Sequence, residues 1–129
     1  MDAKGLESIP LFSSLSKSEL KQVAQWADTI DVAADTELAR EGSFAHEFFV
    51  IAEGTAEVRR DGEVVNELGP GDFFGEIGLL ETERRTASVV TTTPLTAIVM
   101  FQREFRELEH RHPEVADRLR AAIRARLSE

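Results

Sequence analysis

Cysteine is absent from the 129 residues, which excludes disulfides and thiolate-ligated metal sites. Histidine is scarce: His46, His110 and His112 are the only three. The last two stand two positions apart in a helix-forming stretch, where side chains do not face each other. A metal site on strands needs clustered histidine and carboxylate ligands, and His46 stands alone there, so no metal is expected. Long apolar runs are missing too. Nothing approaches the roughly 20 residues of a membrane span, and Met1 to Pro10 lacks the apolar core of a signal peptide. The expectation is a cytoplasmic chain with no membrane partner. There is no Walker-type phosphate loop and no serine with a paired histidine in a recognisable turn, so enzymatic activity has no support.

A basic face is the last absence. The net charge is −9, with 8 Lys+Arg against 18 Asp+Glu over residues 1–102 and 7 Arg against 6 acidic residues over 103–129. Nucleic-acid binding through counterion release needs a basic surface, so this chain alone is not expected to bind nucleic acid. A small anion would have to be held in a local pocket, because the field of the whole chain opposes it. The length reads as one domain over residues 1–129, able to bury roughly two thirds of its unfolded surface.

What is present divides into three parts. Residues 1–27 form an N-terminal helical segment. Ser16 and Glu19 match a capping box, and Leu20, Val23, Ala24 and Ala27 make one apolar stripe on a helix reaching about Ala27, with Trp26 at its edge. Residues 28–101 change to short β-rich runs punctuated by Gly42, Gly54, Gly62 and Gly69, at intervals of 12, 8 and 7 residues. That spacing suits an antiparallel sandwich or barrel. Asp61-Gly62 is a two-residue hairpin signal, and the threonines around 91–93 read as strand-face residues. Residues 102–129 form two helices. The first runs from Gln102 to about Arg111 with Phe105 and Leu108 on one face. Pro113 suits the first turn of the second. Val115, Leu119, Ala122, Ile123 and Leu127 make a narrow stripe there, with Arg118, Arg120, Arg124 and Arg126 mostly outside it. A stripe that narrow suits a lid or a two-helix seam with a second copy, in preference to packing on the chain's own barrel.

The stretch around which the rest is organised runs from Leu68 to Val89. Gly69-Pro70-Gly71 is a tight turn. Phe73, Phe74, Gly75 and Glu76 follow, then Ile77, Gly78, Leu79 and Leu80, a polar patch, and Arg84-Arg85-Thr86-Ala87-Ser88 leading into a β-branched run. Gly75 allows close backbone approach, and a short helical turn after it offers free N–H groups to an anion. Arg85 is a fork-shaped donor suited to phosphate. Glu76 would repel phosphate but can accept from a neighbouring hydroxyl. An anion beside a hydroxyl is a sugar phosphate. The same residues also read as a turn and strand with a surface arginine and glutamate.

Phe74-Gly-Glu-Ile-Gly-Leu-Leu, with Arg85-Thr-Ala-Ser-Val beginning nine residues after Glu76, resembles the phosphate-binding cassette (residues 74–89) of cyclic-nucleotide-binding domains, of the kind in catabolite activators and protein kinase A regulatory subunits. Glu41-Gly42 and the run from Phe48 to Val58 are similar to that family's second signature, so the resemblance covers nearly the whole chain. Gly78 stands where the family usually has alanine, and Arg84 where it usually has proline. The resemblance implies a mainly β fold with flanking α: an eight-stranded antiparallel β-roll, jelly-roll-like, with one N-terminal helix and two C-terminal helices. It implies a regulatory sensor of a 3′,5′-cyclic nucleotide, cAMP in preference to cGMP. Arg85 would clamp the phosphate and Glu76 accept the ribose 2′-hydroxyl. Backbone near Gly75, Ile77, Gly78 and Thr86 would complete the cradle, and Val50, Val58, Leu68 and Ala87 would line the sugar and base. Arg120 and Arg124 are the long polar candidates for purine contact. The C-terminal helix would rearrange on binding and engage a homodimer partner or an effector protein. Two rival readings are a β-roll that serves only as an interaction or dimerisation domain, and the sensor fragment of a DNA-binding transcription regulator.

Overall fold

The strand β3 (Glu47–Glu53) contains Phe48-Phe49-Val50-Ile51, four apolar residues in succession, all buried. A strand apolar on both faces must be covered on both, and the fold supplies two covers. The computed structural model describes residues 6–7, 9–43, 47–75 and 87–127, except for the side chains of 126 and 127. Its strands are β1 (Asp28–Val32), β2 (Glu37–Ala39), β3, β4 (Ala56–Arg60), β5 (Glu63–Leu68), β6 (Phe73–Phe74), β7 (Ser88–Thr91) and β8 (Leu95–Phe101). Among the described residues they form two antiparallel four-stranded sheets, ordered β1-β8-β3-β6 and β2-β7-β4-β5. The mainly β, eight-stranded roll expected from the sequence is the observed architecture.

Phe49, Ile51, Ala97 and Val99 face the interior between the sheets, meeting Ala39, Ala56, Phe74, Val89 and the half-covered Val58 and Leu68. Phe48, Val50, Ile98 and Met100 face the other way, into a helical layer. Phe49 and Phe74 are register partners in β3 and β6, and their rings stack at 4.8 Å. Thr91, fully buried, sews the β1–β2 corner to β7: its hydroxyl donates to Ala33 O at 2.8 Å and accepts from Thr36 N–H at 2.8 Å. The strand-face expectation holds for Thr91 but not for Thr92 and Thr93. Those two lie in the turn before β8, where Thr55 N–H donates to Thr93 Oγ1 at 3.0 Å and the Thr55 and Thr92 hydroxyls bond at 2.7 Å.

The helical layer comprises a 3₁₀ turn (Pro10–Phe12), α1 (Lys17–Gln25), α2 (Gln102–Arg111) and α3 (Pro113–Leu127). The Ser16–Glu19 capping box is formed, with Ser16 N–H donating to Glu19 Oε1 at 2.9 Å and Glu19 N–H donating to Ser16 Oγ at 3.2 Å. α1 stops at Gln25, short of the expected Ala27, because Trp26 N–H bonds back to Val23 O and Asp28 already pairs with Val99 of β8. Val115, Ala116, Leu119 and Ile123 of α3 are buried with Leu11, Phe12, Leu20, Val23, Phe105 and Leu108. This corrects the expectation of a lid or two-copy seam: the stripe is narrow because the chain's own 3₁₀ turn, α1 and α2 cover it. Leu127's side chain is outside the described residues. Among the described residues no helix is long and apolar enough to cross a membrane.

Candidate functional site

The approach to the cassette is built by a pinned turn. Gly69 N–H donates to Asp72 Oδ2 at 2.8 Å, Asp72 N–H donates to Gly69 O at 3.0 Å, and Gly71 takes φ +90°. Gly71 N–H then donates to Ile51 O at 2.8 Å and Ile51 N–H to Asp72 O at 2.9 Å, which fixes the turn against β3. β6 follows for two residues, and Gly75 leaves it at φ +79°. An L-side chain is strained at that angle, so the exit from β6 needs glycine for its backbone direction. At the other end Ala87 is half-buried and Ser88 opens β7, paired with Arg59 of β4. The cassette therefore leaves the edge strand of one sheet and returns to an inner strand of the other.

Of the expected site residues, the structure places Gly75 and Ala87 at these two ends. Glu76, Ile77, Gly78, Arg85 and Thr86 lie outside the described residues. Of the expected wall residues, Val58 and Leu68 pack against the interior between the sheets. Val50 does not. It sits in the helical layer, and its neighbours Phe49 and Ile51 face the interior in its place. Successive side chains of a strand point to opposite faces, but an unbroken apolar run gives no polar residue to mark which face is which.

Arg120 is also committed elsewhere. Its guanidinium pairs with Glu109, bonds Asp117 Oδ1 at 2.8 Å, and lies 5.2 Å from the Phe105 ring centroid. It clamps α2 to α3, so it is not presented toward a base. Arg124 lies on the exposed face of α3. An open groove of about 360 Å³ is lined by Thr55, Ala56, Glu57, Glu67, Leu68, Gly69 and Thr92. Glu57 and Glu67 are cross-strand partners there, and Arg59 is spent on Glu57 at 2.8 Å, so the lining offers a phosphate no cationic side chain. Among the described residues no cluster of three or more His, Asp or Glu could hold a metal ion.

One perturbed carboxylate lies in the helical layer. The Ser16 N–H, with help from the Ser16 hydroxyl and Arg118, holds Glu19 below the ordinary glutamate value, against an opposing contribution from burial. Glu19 Oε2 is 3.1 Å from Arg118 Nε, so the cap of α1 is tied to α3 across 99 residues of sequence. No local sequence signal announces such a pair.

Comparison with known proteins gives a consistent result. The family model for the cyclic nucleotide-binding domain matches residues 29–112. The cAMP-dependent protein kinase regulatory subunit of Schizosaccharomyces pombe is 36% identical over 91 residues, covering 70% of this chain and 22% of that protein. A cyclic nucleotide-gated potassium channel of Rhizobium etli is 30% identical over 113 residues, covering 88% of this chain and 32% of the channel. The chain thus spans about a fifth to a third of these curated relatives. Among solved structures, the N-terminal domain of a transcriptional regulator from Streptomyces coelicolor A3(2) superposes with TM-score 0.81 at 25% identity, covering 99% of this chain and 94% of that one. The catabolite activator protein of Thermus thermophilus gives TM-score 0.76 at 27% identity, covering 92% and 58%.

Proposed function

The chain belongs to the cyclic nucleotide-binding domain family, and from that premise we propose that it is a cytoplasmic regulatory module that reversibly binds a 3′,5′-cyclic nucleotide, cAMP in preference to cGMP. Residues 1–129 act as one unit, with the roll at 28–101 carrying the site and the helical segments 1–27 and 102–129 carrying the response. Arg85 holds the cyclic phosphate, and Glu76 accepts from the ribose 2′-hydroxyl. Backbone N–H groups of Gly75, Ile77, Gly78 and Thr86 surround the phosphate, and Ala87 with Val58 and Leu68 lies against the sugar and base. The observation that carries this reading is the family match over residues 29–112, which spans the whole stretch 74–89 with Glu76 and Arg85 in place. The left-handed backbone at Gly75 supports it, because it is where the cassette must turn out of β6.

The preference for cAMP is supported by the cAMP-dependent character stated for the Schizosaccharomyces relative. Thr86 could hydrogen-bond the 2-amino group of guanine, but one hydroxyl is worth about 0.5–1.5 kcal/mol net. That is about one decade at most, so cGMP binds within about tenfold. The likeness to the N-terminal domain of a Streptomyces regulator favours an attached or separate effector as the output.

Isothermal calorimetry with cAMP and cGMP tests the reading. Arg85→Ala should cost about 2–4 kcal/mol of affinity, because it breaks a charge-assisted pair. This corresponds to roughly 30- to 1,000-fold, while Arg84→Ala should cost far less. Equal losses at both positions would show that the register of the cassette is wrong.

A further inference from the structure

Three segments that are distant in sequence converge on Glu41. After β2 the chain turns over Arg40–Ser43, where Ser43 N–H donates to Arg40 O at 3.2 Å and Gly42 takes φ +85°. From this turn Glu41 reaches in two directions. Its backbone N–H donates to Ser88 Oγ at 2.9 Å, and its carboxylate Oε1 accepts from Asp61 N–H at 3.1 Å. Ser88 is the first residue of β7. Asp61 begins the β4–β5 turn, at φ +54° with Gly62 at +82°. One residue therefore ties the β2–β3 loop both to the tip of the β4–β5 hairpin and to the start of β7.

The consequence for the site is a matter of chain length. Ser88 stands three residues after Arg85, and three residues of extended chain span at most about 10 Å. Whatever fixes Ser88 therefore also bounds, through that length of chain, the distance from it to Arg85. Among the described residues the β7 ladder holds Ser88 through its first pair with β4, Arg59↔Ser88, and strand ends fray. The Glu41–Ser88 bond adds a side-chain anchor at that end, and the Glu41–Asp61 bond keeps Glu41 itself in place. We infer that Glu41 is a positioning residue for nucleotide binding, acting through Ser88 to hold the start of β7, where the stretch that carries Arg85 rejoins the sheet. The inference rests on the reading that Arg85 holds the cyclic phosphate.

The test is cAMP and cGMP binding, with dissociation rates, for native protein and the variants Ser88→Ala, Ser88→Thr, Glu41→Ala, Glu41→Gln and the double Ser88→Ala/Glu41→Ala. Ser88→Ala and Glu41→Ala should each weaken both nucleotides equally, by roughly two- to tenfold, mainly through faster dissociation. The double variant should lose less than the product of the two singles, since both break one relay. Ser88→Thr keeps a hydroxyl and Glu41→Gln keeps an acceptor oxygen, so both should bind as native protein does. Unfolding midpoints without nucleotide should stay close to native. Native affinity in Ser88→Ala, a loss that tracks a lowered midpoint, or a changed ratio of cAMP to cGMP affinity would overturn the inference. Native protein that binds neither nucleotide would instead overturn the functional reading, and this inference with it.

Discussion

Gly54 shows how much a missing side chain can decide. It takes φ +92° between β3 and β4, and a Cβ there would sit 2.4 Å from Pro94 O and 2.9 Å from Leu95 Cα. Both obstacles are backbone, so neither can swing aside. Gly54→Ala should destabilise the fold by about 2–4 kcal/mol, combining left-handed strain with the clash; urea unfolding measures it, and a variant within 0.5 kcal/mol of native (about the spread of neutral surface changes) would contradict the geometry. The glycine spacing in the sequence marks this turn, but only the fold reveals that the turn is pressed against the start of β8. The candidate ligands divide in the same way. Glu76 and Arg85 are proposed from the sequence because a phosphate cradle is a local motif, in which order and spacing carry the chemistry. Arg120 is not, because its partner Glu109 lies on another helix, and a sequence gives no measure of which arginines are already spent on ion pairs.

Helices and turns were the most readable elements, since their signals act within a few residues. The Ser16–Glu19 box, the Asp61-Gly62 hairpin turn with both residues at positive φ, and Pro113 opening α3 all stand where the residue types demand. α1 also carries a consequence that its own sequence does not state. Glu19 caps the helix and pairs with Arg118, and its carboxyl is held below the usual glutamate range, first by the Ser16 N–H. A group whose folded value is depressed contributes stability that is present above its unfolded value of about 4.5 and is lost as pH falls through the lower folded value. The α1–α3 tie should therefore weaken below about pH 4.5, where the unfolded chain takes up the proton first. Thermal unfolding followed from pH 7 down to 3 should show a steeper acid loss in native protein than in Glu19→Gln, which cannot titrate there. Identical slopes would remove Glu19 from the account.

Across the whole molecule, the sheet β1-β8-β3-β6 is a shared wall with a core on each side. One core lies between the sheets. The other joins that wall to the 3₁₀ turn, α1, α2 and α3. Leu119 is 1% exposed within the second core, so Leu119→Ala should cost about 2–5 kcal/mol, read as a lower urea midpoint in a protein whose oligomeric state is unchanged. A change of oligomeric state with native stability would restore the seam reading of α3. The shared wall also packs directly against the helices. Trp26, the only tryptophan, packs against the helical core, its buried Nε1–H without a hydrogen-bond partner among the described residues and the Arg111 guanidinium 5.8 Å from its ring centroid. If α3 rearranges on binding, as proposed, Trp26 emission should shift on adding cAMP in native protein and not in Arg85→Ala. An unchanged spectrum at saturating nucleotide would speak against a response in this layer.

By itself the sequence determined the order of elements, the caps and turns that bound them, and the character of the roll. Each of these depends on backbone preferences or on spacing within about a dozen positions. Only the tertiary structure decided which face of β3 looks inward, what covers the α3 stripe, and which side chains are drawn together over long separations: Glu19 with Arg118, and Ser88 with Glu41. Those outcomes depend on which surfaces meet when two sheets and a helical layer close over one wall. An apolar residue looks the same in the sequence whether its neighbour is a ligand pocket, a helix or a second copy of the chain.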